Sequence, residues 1–203
     1  QKMKLYYCPK TRGTRPRWML EELALPYELS YVNLRQGEQK RPEFLAVNPM
    51  GGIPAFEDGA IRMFESAAIV MYLADKYGQG SFSPELNSPE RASYYQWMFF
   101  SMTSLDAPIV QYFYHSQFYP EEKRVPSNVM DAKGNFQKAA QVLTQHLEKN
   151  EFVLGKSFSA ADVMIGSNLV FAKGLGLLEE FPTLQNYVQK LVSRPAFRKA
   201  TAD

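Results

Sequence analysis

Among its 203 residues the sequence holds one cysteine, Cys8, and two histidines, His115 and His146. A lone thiol excludes an internal disulfide and fits a reducing, cytoplasmic setting. One cysteine and two distant histidines leave no spacing from which a metal centre could be assembled. An excess of either charge is also missing: 23 Lys and Arg face 21 Asp and Glu, a net +2. That is short of the basic excess of a nucleic-acid binder. No stretch approaches the roughly 18 uncharged residues that suggest a membrane span. The opening "QKMKLYYCP" lacks the apolar core of a signal peptide. Internal repeats and low-complexity segments are absent too. The expectation is a soluble, metal-free, cytoplasmic protein with no nucleic-acid or membrane partner.

What is present is an ordinary globular mixture, 45% hydrophobic and 22% charged, in a chain long enough to bury a core in one large or two small domains. Up to residue 78, short β-like and helical patterns alternate. "KLYY" is β-prone, and "PRWMLEELAL" reads as a helix with Pro16 in its first turn. "YELSYVN" alternates like a half-buried strand. "RPEFLAV" is a helical turn, and "IPAFEDGAIRMF" is a hairpin turning at Glu57-Asp58-Gly59. "ESAAIVMYLADKY" is a helix ended by Gly78. The order βαβαββα predicts a small α/β sheet, parallel in its first half and closed by an antiparallel hairpin.

A Gly/Ser/Pro-rich stretch, residues 78–89, follows as a linker. Beyond it strand signals fade. Phe136, Ala140, Leu143 and Leu147 mark one face of a helix. Ser159 and Asp162 have capping-box spacing before an apolar helix. "FPTLQNYVQKLVSRPAFRKA" predicts two more helices, divided at Arg194-Pro195. The expected domains are residues 3–78, α/β, and residues 89–203, all-helical, joined by 79–88.

Three places in the first domain carry chemistry. "LYYCPKTRGTR", residues 5–15, joins a strand to a helix, so a helix N-terminus there would favour an anion or a thiolate. A capped helix start with solvated basic residues is the plainer alternative. "NPMGGIP", residues 48–54, sets Ile53-Pro54 directly before a strand. A cis bond there would turn the Ile53 amide and carbonyl outward to pair with an extended peptide; a trans proline opening the strand would not. "FESAA", residues 64–68, puts Glu65 and Ser66 at a helix start. Glu65 could hold an ammonium, and Ser66 with the free amides a carboxylate, the two halves of an α-amino acid. An ordinary helix cap uses the same residues.

In this order the motifs resemble the glutathione S-transferase superfamily over nearly the whole chain: "LYYCPKTRGTRPRWMLEEL", "PEFLAVNPMGGIPAFEDG", "FESAAIVMYLADKY", "SAADV" and "YVQKLVSRPAF". The resemblance implies a thioredoxin-like N-terminal domain with a cis-Pro before the third strand, and an all-α C-terminal domain. It implies glutathione as cosubstrate, no prosthetic group, and a homodimer. By matching position, Ile53, next to Pro54, would bind the cysteinyl backbone. Glu65 and Ser66 would hold the γ-glutamyl end, and Gln39 and Lys40 would lie near the glycyl carboxylate. Asp162, with Ser159, matches a structural cap.

The implied chemistry is thiol activation. Lowering a thiol pKa of about 8.5 by two units takes about 2.7 kcal/mol of preferential thiolate stabilisation. Four residues compete for that role. Delta-type enzymes read Tyr-Tyr-x-Pro-Gly-Ser here, and their serine falls on Thr11, the first choice. The active cysteine of beta-type enzymes falls on Arg12, as does the asparagine of nu-type enzymes; a guanidinium could assist a thiolate but forms no mixed disulfide. Cys8-Pro9 looks like the Cys-Pro of omega-type enzymes, and Tyr7 lies where tyrosine-type enzymes place a phenol. On the first long helix after the linker, the aromatic run Tyr112, Phe113 and Tyr114 could wall a pocket for a small hydrophobic electrophile. The resulting expectation is a glutathione S-transferase. The alternatives are a glutathione-dependent thiol–disulfide reductase or peroxidase, and a non-catalytic interaction protein of the same fold.

Overall fold

The computed structural model describes residues 2–203. The described residues form two compact units: residues 2–83 with 193–203, and residues 84–192.

The first unit holds the sheet. Strand β1 (Met3–Tyr7) alternates buried and half-buried residues, with Met3, Leu5 and Tyr7 on the buried face, as a period of two requires. Helix α1 is Thr14–Glu22, and β2 is Glu28–Tyr31. Two short 3₁₀ turns, Leu34–Gln36 and Glu38–Lys40, precede the single-turn α2 (Pro42–Leu45). A hairpin follows, β3 (Ala55–Asp58) and β4 (Ile61–Phe64), and then α3 (Ser66–Tyr77). The sheet order is β2-β1-β3-β4. β1 runs parallel to β2 and antiparallel to β3, which pairs antiparallel with β4. This is the expected βαβαββα arrangement, with a cis bond at Ile53-Pro54. The 3₁₀ turns had no periodic signal because each is too short to present a face.

Helix α1 packs on α3, and Trp18, Met19, Leu20, Phe56, Ile69 and Leu73 are fully buried. At about 1.5–3 kcal/mol for each such side chain, burial outweighs the weak propensities of these short strands. A smaller cluster joins Val32, Phe44 and Ala55 with Tyr6, Val47 and Ile53.

The second unit contains α4 (Pro89–Phe100), α5 (Ala107–Phe113), α6 (Pro126–Leu147), α7 (Ala160–Gly174) and α8 (Pro182–Val192). All but α7 carry proline at or next to their start, where a missing amide hydrogen costs nothing. The segment read as one long helix is interrupted by wide π turns at Ser101–Asp106 and Tyr114–Phe118. Pro108 lacks the amide that a regular helix would use, and the first wide turn lies just before it. Buried Asn168 donates to the Ser101 carbonyl at 2.7 Å. On α6, Phe136, Ala140 and Leu143 are fully buried, while Leu147 is half-buried. Ser159 and Asp162 form a capping box on α7. Asp162 also accepts from the Val153 amide at 2.9 Å and the Tyr187 hydroxyl at 2.6 Å.

The boundary between the units falls at residues 83 and 84, inside the expected linker 79–88, and residues 193–203 belong to the first unit, not the second. Helix α9 (Pro195–Ala200) lies against α1 within the first unit. Phe197 meets the Trp18 ring edge-on at 4.9 Å, and Arg194 forks onto Glu22 at 2.7 and 3.0 Å. Both contacts span most of the sequence, so helical periodicity could not assign α9 to a neighbour.

Candidate functional site

The turn after β1 organises itself around Thr11. Its hydroxyl donates to the Cys8 carbonyl at 2.6 Å and accepts from the Gly13 amide at 3.1 Å. The Thr14 and Arg15 amides bond to the Thr11 and Arg12 carbonyls at 3.1 and 3.2 Å. The amides of residues 13 to 15 are therefore satisfied inside the turn rather than presented outward. A hydroxyl has one proton, so Thr11 must turn from Cys8 before donating to a sulfur.

Gly13 is the crowded centre. A Cβ built there would lie 3.0 Å from Ile53 Cγ2, 3.0 Å from Tyr7 Cδ2 and 3.2 Å from Thr11 Oγ1. Three of the residues predicted from sequence thus meet at one point, although Ile53 is far along the chain. Cys8 is a half-buried free thiol, and Arg12 is exposed. Tyr7 is 1% exposed, and its hydroxyl lies 3.5 Å from Asp203 Oδ1.

The segment before β3 is shaped by Asn48, which is buried. Its side chain donates to the Gly52 carbonyl at 2.7 Å and accepts from the Met50 amide at 3.0 Å. Ile53 and Pro54 lie just outside the β3 ladder, which begins at Ala55. The Gln39 carbonyl comes within 3.2 Å of where a Cβ at Gly51 would be, and Gly51 has φ +63. Glycine alone meets both demands there without cost. Gln39 Oε1 is buried without a hydrogen-bond partner among the described residues. Lys40 beside it is exposed.

Glu65 precedes α3 with φ 73 and ψ 108, and its side chain makes no capping bond. A non-glycine residue in that region costs on the order of 1–3 kcal/mol. A helix cap does not account for it, since the cap bond is missing. Ser66 is buried, and its Oγ accepts from Arg15 Nη1 at 3.0 Å. Arg15 itself is buried.

Sequence reasoning missed Arg15, Arg17 and Asp203. A signal for Arg15 existed: it stands three and four positions before the buried pair Trp18 and Met19, on the inward face of α1. No comparable signal linked Arg17 to Asp203, which pair at 2.7 Å.

In the second unit, Tyr112 is half-buried at the end of α5. Phe113 stacks within 5.4–5.9 Å of Phe171, Phe118 and Tyr114, and Tyr114 reaches Phe118 and Tyr119 at 5.2 and 5.1 Å. His115 is occupied by the Val125 amide and Asn128, each at 3.1 Å. His146 lies 2.7 Å from the Val153 carbonyl. Among the described residues no three His, Cys, Asp or Glu side chains group to hold a metal ion, and no helix is long and apolar enough to cross a membrane.

Residues 1–75 match the glutathione S-transferase N-terminal domain, and residues 102–195 match the C-terminal domain. The disulfide-bond oxidoreductase YfcG of Escherichia coli is 31% identical over 97% of this chain and 93% of its own length. Glutathione S-transferase A of Pleuronectes platessa is 33% identical over 92% of this chain and 86% of its own. Among solved structures, the glutathione transferase URE2P6 from Phanerochaete chrysosporium, in complex with oxidized glutathione, superposes with a TM-score of 0.88 at 30% identity, covering 98% of this chain and 94% of its own. The chain belongs to the glutathione S-transferase superfamily.

Proposed function

We propose that this protein binds glutathione in its first unit and activates it as a thiolate for attack on a small hydrophobic electrophile. The convergence of Tyr7, Thr11 and Ile53 on Gly13 carries this reading. It brings the strand-to-helix turn and the residue preceding the cis proline into one place. Ile53 then pairs with the cysteinyl backbone, Glu65 and Ser66 hold the γ-glutamyl group, and Gln39 and Lys40 serve the glycyl carboxylate. Thr11 stays the first candidate to meet the sulfur. Its hydroxyl keeps the Gly13 amide as donor and turns its own proton from the Cys8 carbonyl to the thiolate, a chain in which each bond polarises the next. Arg12 adds positive charge at the exposed edge. Tyr7 is less suited, being buried with its hydroxyl beside Asp203. The aromatic cluster at Tyr112, Phe113 and Tyr114 is the proposed wall of the electrophile site, and a homodimer belongs to the same reading.

Thr11→Val tests it: glutathione conjugation is expected to fall by about ten-fold or more, the loss of one hydrogen bond to an ion. Full activity would remove Thr11 from the mechanism.

A second reading is favoured by the likeness to the disulfide-bond oxidoreductase YfcG and to URE2P6 with oxidized glutathione. In it the glutathione thiolate attacks a disulfide, forming a mixed disulfide and releasing the other sulfur as thiolate. Cys8, a half-buried thiol in the same turn, is the protein group that could join the exchange. Cys8→Ser is expected to abolish disulfide reduction if Cys8 forms the mixed disulfide, and to leave conjugation intact.

A further inference from the structure

Three ion pairs join the segment Ser193–Asp203 to α1. Arg194 pairs with Glu22 at 2.7 Å, Lys199 with Glu21 at 3.0 Å, and Asp203 with Arg17 at 2.7 Å. Phe197 on Trp18 anchors the run. Two cations of the segment thus meet the two acids of α1, and its one carboxylate meets a cation. The last pair lies close to the candidate site. The Arg17 guanidinium sits 4.7 Å over the Tyr7 ring, and Tyr7 is one of the three side chains touching Gly13. Asp203 Oδ1 lies 3.5 Å from the Tyr7 hydroxyl as well.

The groups facing Arg17 are Tyr7 from β1, Tyr27 from the loop after α1, and Asp203. Glu21 stands behind Tyr27, whose hydroxyl donates to it at 2.6 Å, and is itself neutralised by Lys199. Arg15, on the same helix, is engaged with Ser66. Asp203 is therefore the only carboxylate among the described residues that pairs directly with Arg17. Burial works against the Arg17 charge, and the hydrogen bonds with Tyr7, Tyr27 and Asp203 outweigh it, so the guanidinium stays protonated. Its side chain is 13% exposed, which limits screening by solvent.

We propose that Asp203 sets the field behind the turn at Thr11: its carboxylate neutralises Arg17, which lies over the Tyr7 ring, and so keeps the bound thiol from meeting an uncompensated cation. The proposal rests on the reading that this turn activates a thiol. It carries a sign. With the Asp203 charge removed, Arg17 becomes a bare cation near the sulfur and favours the thiolate. With Arg17 removed, the remaining carboxylate disfavours it. With both removed, the net field returns close to that of the pair.

The test is an ultraviolet titration of the thiolate of bound glutathione in the full chain. Relative to wild type, Asp203→Asn is expected to lower the thiol pKa by about half a unit, the size of one charge at roughly 10 Å in partly screened surroundings. Arg17→Met is expected to raise it by a similar amount. The double variant and Asp203→Glu should both titrate near wild type; Asp203→Glu keeps the charge and checks that any shift follows charge rather than a disturbed fold. A thiolate that titrates normally in wild type and is unmoved by Asp203→Asn overturns the proposal while leaving thiol activation intact. Absence of a titrating thiolate in wild type overturns thiol activation itself, and the role of Asp203 with it.

Discussion

Arg15 donates to Ser66 Oγ across 3.0 Å, and both residues are only 3% exposed. The bond ties the first turn of α1 to the first turn of α3 inside the unit. It also sets a buried cation beside the residue proposed to hold a carboxylate. An anion bound at Ser66 gains from that cation in a place where water screens it little.

Ser66→Ala is accordingly expected to weaken glutathione binding about ten-fold, the loss of one hydrogen bond to a charged group. Calorimetry on the folded variant reads this directly. An unchanged Kd would assign Ser66 to packing alone.

Gly13 has φ −61 and ψ −21, a conformation that alanine accepts. Gly13→Ala therefore tests crowding without backbone strain. The added methyl meets Ile53 and Tyr7 at 3.0 Å, so one wall must move. The expected cost is about 1–3 kcal/mol in urea unfolding, the usual range for overpacking, with a fall in glutathione turnover that exceeds the loss of folded protein. Turnover that merely tracks the folded fraction would separate Gly13 from the site.

Glu65 keeps a positive φ without a capping bond. Glycine relieves that strain, so Glu65→Gly is expected to leave stability unchanged or raised by about 1 kcal/mol. Glutathione affinity should drop, since the carboxylate proposed for the ammonium is gone. A variant that unfolds more easily yet binds normally would make the side chain structural.

Asp58 offers a pH test. It is buried and accepts from Tyr77, from Tyr72 at 2.7 Å and from Lys76 at 3.0 Å. Burial raises its pKa, but these donors outweigh burial and hold the carboxyl below its ordinary value. A folded pKa below the unfolded one means that the stabilisation is present above the unfolded value, about 4. It is lost as pH falls through the folded value. Asp58→Asn is expected to cost about 2 kcal/mol at neutral pH, with the gap to wild type narrowing in acid. A gap that stays constant from neutral to strongly acidic pH would assign the loss to packing.

The order of elements, the proline helix starts and the Ser159–Asp162 box were legible in the sequence, as was the β3–β4 hairpin, although its turn is Gly59-Ala60 and the expected turn residues Glu57 and Asp58 are paired within β3. Each rests on neighbours within a few positions, where periodicity, turn chemistry and caps act. Ile53, Glu65 and Ser66 stood out as candidates because unusual residue types stand at strand and helix boundaries. The tertiary structure alone decided the rest. It made the Ile53-Pro54 bond cis, turned the Thr11 hydroxyl to donate to the Cys8 carbonyl, buried Arg15 against Ser66 and brought Asp203 to Arg17 and Tyr7. A basic residue in a turn reads the same whether it is solvated or buried, since its pairing depends on a partner 51 or 186 positions away. Local physics set the elements of this protein. Long-range packing chose which of its polar groups meet.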